Sequence, residues 1–253
     1  NELIQNEIKQ DTKDFGDDRR TTLNESAITS QALDQTQLAS SDPVTIVLSK
    51  AGWVRAAKGT LDDPRSLNYK SGDDYLSSVP GRSNQFAVFI DSTGRVYSIV
   101  ADTLPSARSN GEPLSSRLNP PDGAYFAGVI SGDPGQHWLL SSSAGYGFFV
   151  KLEDLYTKNR KGKTCLSVKG SEVLIPSNAT SVGYPEETYV AAANSAGKLL
   201  IFKSNELMEM SKGKGLKIIG INSKKFKEGK EKMVSAIVIG PKDSIRVYSG
   251  KKP

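Results

Sequence analysis

The chain has 253 residues, 37% of them hydrophobic, enough to fill the core of one large repeat domain or two ordinary ones. Its formal charge of +5 comes with one cysteine, Cys165, and one histidine, His137, which excludes an internal disulfide, a multi-thiolate zinc site and histidine-pair metal motifs. No apolar run approaches the roughly 18 to 20 residues that a membrane-crossing helix needs, and no basic-then-apolar leader opens the chain, so a cytoplasmic protein is expected.

From Glu2 to Phe15, apolar Leu3, Ile4 and Ile8 stand at helical spacing among charged residues, and Gly16 ends the pattern. This predicts a short helix. Thr21 to Asp42 is rich in Ser, Thr, Gln and Asp with few large apolar residues, and reads as a linker. The start at Asn1 and the stop at Lys251-Lys252-Pro253 predict a piece of a longer chain. Residues 1–42 are therefore set apart from a second region, 43–253.

After Pro43 the texture changes to short β-prone runs separated by small or polar turns. Hairpins are predicted over Thr45–Ala56, Phe86–Ile99, Trp138–Lys151 and Tyr189–Lys203, turning at Gly52, Gly94, Gly145 and Gly197, and a fifth over Ser235–Tyr248 turning near Asp243. The turn glycines recur 42, 51 and 52 residues apart, close to the length of one four-stranded blade. Leu104, Leu155 and Leu207 each lie ten residues after a turn glycine, which holds the repeat in register. Such a unit cannot bury both faces of its small sheet alone, so the units must stack around an axis. The expectation is an all-β, propeller-like disc of about five four-stranded blades, with Trp53, Tyr97, Phe148, Phe149 and Phe202 in the core between blades.

Charge is unevenly spread. Residues 1–42 carry 4 Lys/Arg against 9 Asp/Glu, residues 43–197 carry 15 against 14, and residues 198–253 carry 14 against 5. The field therefore draws a polyanion toward the later blades. A Gly-containing basic loop follows each repeated leucine: Ala107-Arg108-Ser109-Asn110-Gly111, then Lys158-Asn159-Arg160-Lys161-Gly162-Lys163, then Ser211-Lys212-Gly213-Lys214-Gly215-Leu216-Lys217. Equivalent loops of a disc lie around its perimeter, where Lys and Arg would meet phosphates and glycines would let backbone N–H groups approach them. The candidate DNA-binding set is Arg108, Lys158, Arg160, Lys161, Lys163, Lys212, Lys214 and Lys217 from these loops, with Arg55, Lys58, Lys70, Arg82, Arg95, Arg117, Lys198 and Arg246 from the rest of the disc.

No phosphate-cradling or dinucleotide-binding glycine motif is present, and the paired acids Asp62-Asp63, Asp73-Asp74 and Glu186-Glu187 fall in turn-like segments. No catalytic residue and no metal site are assigned. A stand-alone hydrolase is the weakest reading, and a protein-interaction propeller recognising an acidic partner is the main alternative to DNA binding.

Pro43-Val44-Thr45-Ile46-Val47-Leu48-Ser49-Lys50-Ala51-Gly52-Trp53-Val54-Arg55 resembles the opening blade of the C-terminal domains of the gyrase A/ParC family, on the topoisomerase IV branch. Leu67 to Asp73, Asp91 to Arg95, Thr103 to Arg108, Ala144 to Phe148 and Ser211 to Gly215 are similar to the same family, and Asp17 to Thr21 resembles the end of the preceding breakage-reunion region. The gyrase box Gln-Arg-Arg-Gly-Gly-Lys-Gly is not reproduced. Leu67 to Asp73 occupies its neighbourhood without the basic pair, which favours topoisomerase IV.

The resemblance implies a strand-exchanged β-pinwheel whose edge binds and bends duplex DNA, largely independently of sequence, and presents it for decatenation and supercoil relaxation. It implies no cofactor for this fragment, because the ATP and magnesium of the whole enzyme belong to other domains. Its implied partners are double-stranded DNA, the ATPase partner ParE and a second copy of the ParC chain, with the fragment itself monomeric. Its implied location is the cytoplasm, on the chromosome, with room for peripheral association with the inner membrane.

Overall fold

In a computed structural model, residues 2–16, 41–184 and 186–246 are described, and the chain divides into two compact units, Asn1–Leu38 and Ala39–Pro253. In the first unit, helix α1 (Glu2–Phe15) ends where Gly16 N–H donates to Thr12 O, and its apolar Leu3, Ile4, Ile8 and Phe15 are exposed. Most of the predicted linker lies outside the described residues. Its last two residues are described as part of the second unit, where Asp42 and Ser83 exchange backbone and side-chain hydrogen bonds.

The second unit holds four small antiparallel sheets, and each grows from one of the first four predicted hairpins. In the first, β3 (Tyr75–Arg82), β1 (Pro43–Ser49), β2 (Trp53–Lys58) and β6 (Glu112–Pro113) lie side by side in that order. The second runs β7 (Phe126–Ile130), β4 (Phe86–Asp91), β5 (Arg95–Val100) and β10 (Lys163–Thr164). The third runs β11 (Ser177–Asn178), β8 (His137–Ser142), β9 (Tyr146–Lys151) and β14 (Leu216–Lys217). The fourth has β15 (Met233–Ile239), β12 (Tyr189–Asn194) and β13 (Leu199–Lys203).

The outer strands are exchanged. β6 follows the second hairpin in the chain yet completes the first sheet, β10 follows the third hairpin yet completes the second, and β14 follows the fourth yet completes the third. At the opposite edge, residues of β3, β11 and β15 line one shared cavity of about 630 Å³, which marks the inner side of the array. Among the described residues nothing pairs with the outer edge of β13, and Leu199, Leu200 and Ile201 there are exposed.

The fifth predicted hairpin is a correction. Met233–Ile239 pairs along β12, from Tyr189↔Ile239 to Asn194↔Met233, as the inner strand of the fourth sheet. Each unit ends in such a returning strand, so this β-prone run closes the fourth blade and does not open a fifth. Asp243 accepts from Gly240 N–H in a turn, but Ser244 to Arg246 form no strand, and Val247 and Tyr248 lie outside the described residues. Among the described residues the blades number four, three of them four-stranded.

The repeat holds at atomic detail. Gly52, Gly94, Gly145 and Gly197 all take a left-handed conformation, with φ between 77° and 86°. Three residues before each stands a buried polar side chain: Ser49, Asp91, Ser142 and Asn194. Ser49 Oγ accepts from Trp53 N–H, Asp91 Oδ1 from Thr93 and Arg95 N–H, and Asn194 Oδ1 from Ala196 and Lys198 N–H. These three side chains satisfy donors of their turns, whereas the Ser142 hydroxyl donates to Tyr146 O.

Leu104, Leu155 and Leu207, which hold the register of the repeat, are all buried at the ends of 3-10 turns. One apolar cluster links the first three sheets and a second joins the third to the fourth. Tyr97, Phe148 and Phe149 are fully buried, while Trp53 and Phe202 are half-buried.

Candidate nucleic-acid interface

The three basic loops run along the outer edges of the first three sheets, each entering the exchanged strand through a left-handed glycine. Gly111, Gly162 and Gly215 lie flat on the preceding blade's outer strand, where an added Cβ would sit 2.3 Å from Val54 O, 2.8 Å from Val96 O and 2.1 Å from Gly147 O. No side chain fits there at the observed φ of 83°, 65° and 78°. The basic residues just before these glycines are thereby fixed at the outer edge.

Two arginines clamp the loops from beneath. Arg55, on β2, donates to Ser109 O at 3.2 Å and stacks on the Tyr69 ring at 4.7 Å. Arg95, on β5, donates to Lys161 O at 3.0 Å. Arg55 is only 4% exposed, which corrects its assignment as a DNA contact: its guanidinium lies inside the blade, holding the Arg108 loop through Ser109 O. Arg95 is half-buried in the same role one blade later.

Neighbouring edge segments are also joined. Asn119 N–H, just past β6, donates to Arg160 O at 2.8 Å; Gly213 N–H donates to Cys165 O and Ser167 N–H to Gly213 O, both at 2.8 Å. The three loops therefore follow one another as a continuous backbone track. Along it Arg108, Lys158, Arg160, Lys161, Lys212, Lys214 and Lys217 are exposed, and none forms an ion pair among the described residues.

The remaining candidates sit elsewhere or are engaged. Lys163, on β10 in the same track, is half-buried. Arg117 pairs with Glu112 and donates to Thr103 Oγ1, and Lys70 caps the Trp53 ring at 3.3 Å. Arg82, on the inner strand β3, donates to Ser41 O. Lys58, Lys198 and Arg246 are exposed at the end of β2, at the fourth hairpin turn and after β15. The structure thus gathers the loop cations and leaves the others apart.

His137 and three of the paired acids have structural partners. His137 Nε2 lies 2.8 Å from Glu209 Oε2, and Lys151 Nζ is 3.4 Å from the other oxygen. Burial alone would raise the Glu209 pKa, but these two partners hold it below the usual carboxylate value. Asp63 caps a 3-10 turn, Asp73 accepts from Ala51 N–H, and Asp74 pairs with Lys50. Among the described residues no group of three or more His, Cys, Asp or Glu could hold a metal ion, and no helix is long and apolar enough to cross a membrane.

Cys165 is 1% exposed, and burial pushes its thiol up to about 12, with the Lys163 charge offsetting only part of that rise. A disulfide reagent at about pH 8 is expected to leave Cys165 unmodified in the folded chain and to titrate it fully in denaturant. Comparable rates in the two states would contradict this burial.

Strand-exchanged blades bordered by glycine-anchored loops define a β-pinwheel, the propeller-like class of domain. Residues 188–239 match the family described as DNA gyrase C-terminal domain, beta-propeller. The chain is 45% identical to the A subunit of DNA topoisomerase 4 from Pseudomonas aeruginosa over 251 residues, 99% of this chain and 33% of that protein. It is 42% identical to the protein of the same name from Haemophilus influenzae over 256 residues, 100% of this chain and 33% of that protein. The solved ParC C-terminal domain of E. coli superposes with a TM-score of 0.69 at 42% identity, over 79% of this chain and 80% of that one. The chain belongs to the family of topoisomerase IV ParC C-terminal domains. It spans about a third of the length of the curated relatives it matches.

Proposed function

We propose that the chain holds and bends duplex DNA along its outer edge and so presents it to the strand-passage machinery of a type IIA topoisomerase. The observation that carries this reading is the continuous track of seven exposed cations, without ion pairs among the described residues, anchored to three successive blades. Lysines and arginines spaced along a backbone match phosphates at regular intervals and read no base edges, so binding is largely independent of sequence. Bending a 20–30 base-pair segment costs about 1–6 kcal/mol, which contacts to further blades offset. In the whole enzyme, ATP and magnesium chemistry would come from other domains, and ParE and a second ParC chain would be the protein partners. The chain would act in the cytoplasm, on the chromosome.

The test is affinity for random-sequence duplex as a function of salt. Seven phosphate contacts would give a slope of log K against log salt near about −6, since each contact contributes roughly −0.9. A slope shallower than about −2 would overturn the reading and favour an acidic protein as the partner of this surface.

A further inference from the structure

Beside the third basic loop lies a recess of about 530 Å³ whose lining includes Tyr146 from the third hairpin, Lys169 from the turn after β10, Lys214, Lys217, and Phe226 and Lys227 from helix α2 (Ser223–Lys227). Four lysines line it, and no Asp or Glu does. The nearest acids along the chain are turned to other cations: Glu172 pairs with Lys232 and Glu228 with Lys230, each at 2.8 Å. The recess is therefore an uncompensated concentration of positive charge.

One of its lysines is held by an aromatic ring, and another stands on strained backbone. Lys214 Nζ sits 3.6 Å from the centre of the Tyr146 ring, a cation–π contact that fixes the ammonium. Lys169 has φ of 28°, and among the described residues it alone of the non-glycine side chains occupies that strained region. Gly170 follows directly, and a lysine at a position that glycine would fill without strain keeps a cation there at a local cost.

The volume falls within the roughly 300–1,000 Å³ of small-molecule sites. A double helix is far too wide to enter and could only rest across the opening. We propose that this recess binds a compact polyphosphate anion of small-molecule size, the chemistry shared by nucleoside triphosphates and short inorganic polyphosphates. The recess offers four ammonium groups to the three or four negative charges of such an anion, and Phe226 offers an apolar wall for a base. The site goes beyond the DNA reading and does not rest on it.

Calorimetric titration of the intact chain with inorganic tripolyphosphate, and separately with ATP, tests the site without any DNA. Saturation at one anion per chain is expected. A Lys169→Gly/Lys227→Ala variant should weaken binding about tenfold. Lys169→Gly removes a charge and relieves the strained φ, so folding is retained. A Lys158→Ala/Arg160→Ala variant removes the same charge from the neighbouring loop and should change affinity less than about twofold. Equal affinity for the two anions assigns the recess to phosphate alone, and tighter ATP binding assigns it to nucleotides. Heats that do not saturate, or equal losses in the two variants, would overturn the proposal. Should the Lys169 variant lose its thermal transition, Lys217→Ala/Lys227→Ala makes the same comparison. Failure here would leave the salt-dependent duplex binding of the outer edge untouched, so the two readings fail separately.

Discussion

Replacing Lys158, Arg160 and Lys161 together by Ala is expected to weaken binding to random-sequence duplex about 10- to 100-fold at low salt and to flatten the salt slope by about two to three. All three side chains are exposed and free of ion pairs among the described residues, so the thermal midpoint should stay within a degree or two. The loss should be alike on unrelated sequences, because phosphate contacts position DNA without reading it. A fall of less than about threefold, on protein shown to be folded, would remove the second blade from the DNA path. Arg55 belongs in no such comparison: its truncation would free the Arg108 loop from within and mix unfolding with lost charge.

Asp91→Ala should be the most damaging single substitution at the hairpin turns, at about 3–4 kcal/mol. The carboxylate is fully buried and accepts from Thr93 N–H, Thr93 Oγ1 and Arg95 N–H on one oxygen and from the Tyr97 hydroxyl at 2.6 Å on the other. Alanine strands all four donors. For a domain of this size the melting midpoint should fall by about 6–15 °C. Asp91→Asn should cost less than half as much, since the fourth blade uses Asn194 at the same place with the same two turn contacts. Equal losses in the two variants would show that charge matters at Asp91, and not the hydrogen-bond pattern shared by the repeats. Burial first, and then the Asp91 carboxylate, raise the Tyr97 pKa, so the folded chain holds this proton more tightly than the unfolded one. That contribution is complete below tyrosine's ordinary value of about 10 and is lost as pH climbs beyond it.

Much of this architecture is legible in the sequence because hairpins write themselves in periodic form. Gly52, Gly94, Gly145 and Gly197 mark turns whose conformation demands glycine, and Leu104, Leu155 and Leu207 mark the burial that follows each hairpin. The exchanged strands are not readable from periodicity, because β6, β10 and β14 have two residues each, too few to show alternation, and only the family resemblance implies them. Their trace is Gly111, Gly162 and Gly215, a second glycine register 17 or 18 residues after the first. The buried polar residues are equally open to view three positions before each turn, but Ser49, Asp91 and Asn194 look alike only by what they accept, and Ser142 instead donates to Tyr146 O.

Met233–Ile239 reads as part of a new hairpin because a returning strand and an opening one have the same composition. Arg55 reads as surface because charge usually is, and its partners are remote in sequence: Tyr69 stands 14 residues on and Ser109 54. Lys169 and Lys227 lie in unrelated segments that only the fold brings together.

The exchange of outer strands also gives the array a polarity. Every unit from the second onward lends a strand backward, to the blade before it, and among the described residues the fourth blade lends but does not receive. A cut that removes the fourth unit therefore takes β14 from the third sheet and bares β9, while a cut that removes the first leaves β6 with no strand to join. Damage to one unit is in this way felt by its predecessor, so the blades should melt as coupled neighbours and not as independent modules. The bare β13, with Leu199, Leu200 and Ile201 facing solvent, is the receptive terminus of that series.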